Sequence, residues 1–208
     1  MNKNLTRRTA LVAVAGAASL VLAACGWSDD TSAGHNGHSP SPSASSSAPA
    51  SQGEHNTADV AFAKEMIPHH RQAVEMADLA PTRAESADVK KLADEIKKAQ
   101  DPEIKTLSGW LTSWGEEVPP EGAMDHSMHS AGSGMMTAEE IANLEKASGK
   151  AFDTAFMQLM IKHHEGAVTM AKTEKADGSF PEAKTMADAI ITSQTAEIAQ
   201  MNALLGKS

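Results

Sequence analysis

The sequence predicts an all-α fold, a four-helix bundle built from two repeated helical hairpins. Residues 59–77 recur 94 positions later as residues 153–171, and the two segments are identical at 11 of 19 positions. Between about residues 57 and 206, apolar side chains recur at the three- and four-residue spacing of amphipathic helices. No stretch alternates between apolar and polar residues as a half-buried strand would.

Turn-forming residues divide this region into helices. Pro81 is expected to end the first, and Asp177-Gly178 the third. Thr137 and Glu140 have the spacing of a capping box that opens the third helix, which Ser148-Gly149 divides into a short and a long piece. The predicted helices span residues 58–79, 86–114, 138–175 and 181–205.

The repeat extends into the second helix of each hairpin at the same offset and without a gap. A single hairpin cannot cover its own apolar face, so two hairpins are expected to pack together with approximate two-fold symmetry. The predicted domain covers residues 57–206, with halves 57–115 and 138–206 joined by a Met- and His-rich loop, 116–137.

The start of the chain has the pattern of a bacterial export signal. Three basic residues precede an apolar run, Ala10 to Ala24, which is short for a membrane span. Leu22 to Cys25 looks like a lipobox, so residues 1–24 are predicted to be a signal peptide and Cys25 to carry a lipid rather than remain a free thiol. The Arg7-Arg8 pair leaves both the Sec and twin-arginine routes open. The expected location is the outer face of a bacterial cytoplasmic membrane or the periplasm.

Residues 25–56 are rich in Ser, Pro, Ala and Gly and are predicted to be a flexible tether, with histidines that are spacer residues or weak metal ligands. The formal net charge is -9, and it becomes -12 when the signal peptide takes away three basic and no acidic residues. Nucleic acid is therefore not an expected partner. The predicted partners are a metal ion and a membrane, while a protein partner is unknown.

One face of the first helix carries candidate metal ligands. At 100° per residue, His69, His70 and Met76 lie within about 80° of Met66. The charged side chains and Gln72 are expected on the opposite, outward face. The second copy repeats this geometry, so the inward candidates are Met66, His69, His70, Met76, Met160, His163, His164 and Met170.

Each of these residues also has an ordinary structural explanation. A methionine at helical spacing is commonly core filler, and one inward histidine is commonly a hydrogen-bonded core residue. Four inward imidazoles in symmetric positions differ, because burying them without a shared partner is costly. The histidines therefore favour metal binding, while ligand and core roles are equally open for the methionines.

The second helix of each hairpin adds a glutamine and a glutamate. Glu103 shares an apolar face with Leu92, Ile96 and Ala99, with Gln100 at its edge. A carboxylate there needs a partner. It could bind the metal or join a salt bridge, but the favoured role is to orient an imidazole. The candidates for that role are Gln100, Glu103, Gln194 and Glu197.

The loop between the hairpins is rich in methionine and histidine. Thioethers and imidazoles suit Cu(I), and imidazoles also suit Cu(II). An exposed loop gives four methionines no role in a core, although a low-complexity linker is the alternative. Zinc remains an alternative at the histidines but leaves the methionines unexplained. The candidate ligands are Met124, His126, Met128, His129, Met135 and Met136.

The two copies are not identical at their histidines. Pro68 lies inside the first helix immediately before His69, and Lys162 occupies the equivalent position in the second copy. A proline there is expected to kink the helix. The two sites are therefore expected to differ in geometry.

Taken together, these motifs resemble the bacterial family called "domain of unknown function 305". The resemblance spans about residues 57 to 205 and implies a ferritin-like helical bundle, secreted or lipid-anchored. Some members bind copper and are linked to copper tolerance, which implies copper ligands among the paired histidines and methionines. The matching residues are Phe62, Met66, Ile67, Pro68, His69, His70, Ala73, Val74 and Met76, then Phe156, Met160, His163, His164, Gly166, Ala167 and Met170, with Gln100–Ile104, Trp110 and Leu111.

The expected function is a non-enzymatic, extracytoplasmic metal-binding lipoprotein that sequesters or relays copper. Neither hairpin contains the Glu-x-x-His pair of di-iron carboxylate bundles, which argues against oxidase chemistry of that type. One alternative is a metal-dependent redox enzyme of the copper oxidase type. A second is a structural or interaction lipoprotein without metal.

Overall fold

A computed structural model describes residues 54–122 and 133–206 of the chain. These residues form helices and no strand, which confirms the predicted all-α class. Within the described ranges, no helix has the length and apolarity needed to cross a membrane. The helices are α1 (Thr57–Arg83), α2 (Ala87–Trp114), α3 (Ala138–Lys146), α4 (Gly149–Asp177) and α5 (Pro181–Leu204).

The local signals at the start of the second half act as predicted. Thr137 and Glu140 form the capping box of α3, and Gly149, at φ +60°, follows the break between α3 and α4. The predicted end of the first helix was wrong, because α1 continues through Pro81 to Arg83. In the last helical turn a proline removes few backbone bonds, and the N–H of Ala84 still reaches the Ala80 carbonyl at 3.0 Å.

The two hairpins pack through their first helices. α1 packs on α2, α4 packs on α5, and the α1–α4 contact joins the halves, with the short α3 beside it. The apolar core consists of two clusters. One cluster includes buried residues from 62–67 of α1 and 167–171 of α4. The other includes buried residues from 73–80 of α1 and 152–160 of α4. The two histidine pairs therefore lie between the clusters, midway along the bundle.

Two aspartates at equivalent positions of the repeat tie the hairpins together. Asp59 on α1 accepts the backbone N–H of Phe180 at 2.9 Å, at the start of α5. Asp153 on α4 accepts the backbone N–H of Ser86 at 2.9 Å, at the start of α2. Each first helix thus caps the second helix of the other hairpin, and a carboxylate suits the positive end of the helix dipole.

Asp59 lies beside a buried acid, Glu174. Glu174 is 1% exposed, and its burial, together with a hydrogen bond and repulsion from Asp59, raises its pKa to about 8. Burial also opposes ionisation of Asp59, but hydrogen bonds, led by the backbone N–H groups of Asn56 and Phe180, lower the pKa of Asp59 below its ordinary value. Glu174 is therefore the member of the pair that holds a proton at neutral pH. The equivalent position beside Asp153 is Ala80.

We expect Glu174 to make the bundle less stable as the pH rises. Its folded-state pKa of about 8 exceeds its ordinary value of 4.5, so its contribution is fully present below pH 4.5 and is lost towards pH 8. The slope should reach at most about 1.4 kcal/mol per pH unit. Urea denaturation of Glu174→Ala across this range should show a flatter profile than the wild type.

The control for this prediction is Glu165→Ala, since Glu165 is exposed on the same helix. Its pH profile should follow the wild type. Alanine fits the packing of this position in the other half, where Ala80 is buried. A wild-type slope retained in Glu174→Ala would show that another group titrates.

Candidate metal centre

Four imidazoles are buried at the middle of the bundle. His69 and His70 on α1, and His163 and His164 on α4, are each at most 1% exposed. Their positions follow from the helical repeat, which turns this part of α1 and α4 towards the seam between the hairpins. Among the methionine candidates, Met66, Met76 and Met160 are fully buried, and Met170 is partly buried against the core.

The two copies of the motif meet at their first histidines. The ring centroids of His69 and His163 lie 3.7 Å apart, with the rings tilted by 39°. These residues are equivalent in the repeat, so their contact lies on the approximate two-fold axis. His70 and His164 flank this pair. The ring centroid of His70 lies 6.5 Å from that of His69, and the ring centroid of His164 lies 6.3 Å from that of His163. The two motifs therefore form one continuous row of imidazoles.

The second histidine of each copy is held by a glutamate from the neighbouring helix. Nε2 of His70 lies 2.7 Å from Oε2 of Glu103, and Nε2 of His164 lies 2.6 Å from Oε2 of Glu197. An ionised carboxylate can only accept, so Nε2 carries the hydrogen. In a neutral ring this leaves the Nδ1 lone pair free, as in the carboxylate-oriented histidines of many metal sites.

His69 is oriented by a backbone carbonyl instead. Its Nε2 donates to the Ser133 oxygen at 2.9 Å. Nδ1 of His69, His70 and His164 is buried without a hydrogen-bond partner, and His163 lacks a partner at both nitrogens. Five buried imidazole nitrogens thus have no partner in the described part of the chain.

Burial keeps the central pair neutral. It lowers the pKa of His69 to about 3, and nearby His70 adds to this shift. Burial, with repulsion from His69 and His164, also holds the pKa of His163 well below its usual range. A neutral imidazole is the form that binds a metal, so these rings need no deprotonation before they act as ligands.

The glutamines of the second helices are buried more deeply than predicted. Gln100 and Gln194 are 2% and 3% exposed, and Gln100 has no hydrogen-bond partner for either amide atom. The prediction that Ala99 shares the inward face was wrong, because Ala99 is exposed and Gln100 takes its place. The structure joins the glutamates, but not the glutamines, to the histidines by hydrogen bonds.

The candidate donors at the middle of the bundle are imidazole nitrogens and thioether sulfurs. Among the residues that the structure describes, no three His, Cys, Asp or Glu side chains form a group that could hold a metal ion. Buried methionines accompany each histidine pair at three- and four-residue spacing. Nitrogen and thioether donors together suit a soft ion such as Cu(I).

The interhairpin loop is described only in part. Met124, His126, Met128 and His129 lie outside the described residues, as does Cys25. Met136 is 2% exposed and belongs to the apolar core, so the expectation that all loop methionines are exposed was wrong for this one. Met135 is partly exposed.

Sequence reasoning missed Gln72, which it assigned to the outward face. Gln72 is fully buried; its amide donates to the Met136 carbonyl at 2.9 Å and accepts the Met136 N–H at 2.7 Å. A helical wheel places this residue outward because it takes no account of the loop that covers it. A usable signal was present, since Gln72 is replaced by Gly166 in the second copy.

The fold and site define a class of helical bundle in which two repeated hairpins meet on buried histidines beside methionines. The chain belongs to the family described as domain of unknown function (DUF305), whose model matches residues 59–205. The resemblance seen in the sequence is thereby confirmed. None of the curated proteins matches the chain.

Several solved structures are similar to this chain. A DUF305 protein of Streptomyces coelicolor is 32% identical, with a TM-score of 0.65, covering 76% of this chain and 95% of its own. A DUF305 fragment from Deinococcus radiodurans is 28% identical, with a TM-score of 0.65, covering 74% and 98%. CopM in its Cu(II)-bound form is 37% identical, with a TM-score of 0.61, covering 70% and 94%. CopM in its Cu(I)-bound form is 36% identical, with a TM-score of 0.58 and the same coverage.

We expect removal of a glutamate acceptor to destabilise the bundle. Glu103→Ala and Glu197→Ala each leave a buried Nε2–H without its acceptor, which should cost about 1–3 kcal/mol. Glu103→Gln retains an acceptor oxygen and should lose less. Urea denaturation of the metal-free protein measures these differences.

The matched control is Glu95→Ala, an exposed position on α2. A surface change of this kind should stay within about 0.5 kcal/mol. If Glu103→Ala were as stable as Glu95→Ala, the Glu103 carboxylate would not be the group that satisfies His70.

Proposed function

We propose that this protein binds copper outside the cytoplasm and sequesters or relays it without catalysing a reaction. The observation that carries the proposal is the set of five buried imidazole nitrogens without partners, next to buried methionines. Unpaired buried polar atoms are costly. A metal ion is a partner that imidazole nitrogens and thioether sulfurs can share.

The chemistry of the donors supports copper over zinc. Thioether and imidazole donors without a thiolate suit Cu(I), and the imidazoles also suit Cu(II). Zinc sites use nitrogen, thiolate and carboxylate donors, which gives the methionines no role. CopM, a relative in the same family by its fold and sequence, has been solved with Cu(I) and with Cu(II) bound.

Within this proposal the ligands are the eight inward candidates of α1 and α4. Glu103 and Glu197 orient His70 and His164, in line with their hydrogen bonds. Gln100 and Gln194 lie buried on the same helices. The proposed ligands are Met66, His69, His70, Met76, Met160, His163, His164 and Met170.

The interhairpin loop is proposed to capture copper before it reaches the centre. Both ends of the loop are held on α1, where Arg71 donates to the Pro119 and Pro120 carbonyls and His69 donates to Ser133. A loop attached at these points starts and ends beside the histidines. Its proposed ligands are Met124, His126, Met128, His129 and Met135, whereas Met136 is excluded because it is buried in the apolar core.

Export and lipid attachment at Cys25 complete the proposal. The signal-like first 24 residues support export, as does the relative from Streptomyces coelicolor, which was assigned as secreted. A copper protein on the outer face of the membrane would meet the metal before it enters the cell.

We expect His163→Ala to weaken Cu(I) binding by at least about tenfold, because it removes a ring with two free nitrogens at the centre of the row. Competition with a Cu(I)-specific chelator, using the full purified chain, measures the affinity. His55→Ala is the matched control, since His55 stacks on Trp114, away from the centre, and its affinity should equal that of the wild type. The quadruple variant replaces His69, His70, His163 and His164 with alanine. The proposal would be refuted if this variant bound Cu(I) and Cu(II) as tightly as the wild type does.

We expect oxygen consumption by the copper-loaded protein to be stoichiometric and not catalytic. A copper oxidase that acts on small substrates or on Cu(I) needs an open coordination position that is used again in every catalytic cycle. A buried storage centre reacts with oxygen at most once per bound ion. An oxygen electrode with excess Cu(I) distinguishes the two. Sustained turnover that is lost in His163→Ala and kept in His55→Ala would establish the enzyme instead.

A further inference from the structure

A short segment before α3 crosses directly over the histidine row. We call Ser133–Met136 the strap. Its first carbonyl accepts from Nε2 of His69 at 2.9 Å, and its last residue forms both backbone hydrogen bonds with the Gln72 side chain. Met136 is buried in the core. The strap is therefore fixed at both ends to α1, one turn apart on the helix that carries His69.

The strap also needs a recess on α4. A Cβ atom on Gly166 would overlap the Ser133 carbonyl group and would lie 2.8 Å from the Gly134 nitrogen. Gly134 has φ +73°, and a Cβ there would lie 2.5 Å from the Lys162 carbonyl oxygen. Glycine is required at both positions. The strap thus lies against the backbone of α4 at Lys162 and Gly166, on either side of His163 and His164.

The contacts of the strap with Gln72 and with Gly166 do not follow the symmetry of the repeat. Gln72 and Gly166 occupy equivalent positions, 94 residues apart. One copy supplies the side chain that holds the strap, and the other supplies the space in which the strap lies. His69 consequently has a backbone acceptor at Nε2, while the equivalent His163 has no partner at either nitrogen.

We propose that Gln72 is a positioning residue of the metal centre. Through the strap, and with the recess at Gly166, Gln72 holds His69 with Nε2 protonated and Nδ1 free, and keeps the imidazole row closed to solvent. The two central histidines therefore present different donors to an incoming ion: His69 offers Nδ1 alone, and His163 offers either nitrogen. The positioning role belongs to the metal-free protein, and only its effect on copper entry rests on the proposed function.

Two variants release the strap by different means without altering a proposed ligand. Gln72→Leu keeps a side chain of similar volume, adds no thioether donor and removes both hydrogen bonds to Met136. Gly166→Ala leaves Gln72 intact and fills the recess, although alanine favours the helix itself. Gly109→Ala is the matched control, because a Cβ on this α2 glycine has no atom within 4 Å.

The first measurement uses the metal-free full chain with ¹⁵N-labelled histidine. In the wild type and in Gly109→Ala, His69 should show one Nε2-protonated tautomer, and the Met136 amide should exchange slowly with solvent. In Gln72→Leu and Gly166→Ala the His69 signal should become a mixture of tautomers, and Met136 exchange should accelerate by about tenfold or more. An unchanged His69 signal and unchanged Met136 exchange in both variants would overturn the positioning role.

The second measurement follows Cu(I) transfer from a chelator into the same four proteins. Both strap variants should load about tenfold faster than the wild type and Gly109→Ala. Equal loading rates in proteins whose strap has opened would show that the strap does not limit entry. If the wild type binds no Cu(I) while the tautomer and exchange results hold, the proposed function fails and the role of Gln72 in orienting His69 stands.

Discussion

The contact between His69 and His163 is the constraint on which the rest of the structure depends. Two imidazoles with centroids 3.7 Å apart, both fully buried, cannot both be charged. Burial accordingly depresses the pKa of each ring. Their neutrality allows apolar clusters to close on both sides of the seam, and it leaves polar nitrogens whose hydrogen-bonding requirements the neighbouring elements must meet.

The second helices and the strap meet part of that requirement, and they do so unequally. Glu103 and Glu197 serve equivalent histidines in the same way, so this arrangement follows the symmetry of the repeat. A chain with two hairpins has only one connection between them, which can cross over one histidine and not the other. The exchange of Gln72 for Gly166 accommodates that single crossing, and the symmetry is broken where the topology requires it.

The sequence predicts the parts of this arrangement that are local or repeated. Helical spacing placed Met66, His69 and His70 inward, and the 94-residue repeat indicated the bundle. It could not place Gln72 or Met136, because their burial depends on a loop folding back over α1. The predicted inward face of α2 was wrong by one position, at Ala99. A helical wheel gives the angles between residues around the helix axis, but it does not determine which side of the helix packs against its neighbour. The Glu174–Asp59 pair was also beyond reach, because it joins residues that are 115 positions apart in the chain.

The placement of the histidines at the seam connects the fold with the proposed copper chemistry. α1 and α4 come from different hairpins, so an ion shared by His69 and His163 would bind both halves at once. If such an ion bound only the folded state, it would stabilise that state by an amount that grows with the logarithm of its affinity. A site within one hairpin would lack this coupling. The capping aspartates already tie the ends of the hairpins to each other. A bound ion would therefore add most to the contact between the hairpins at the middle of the seam.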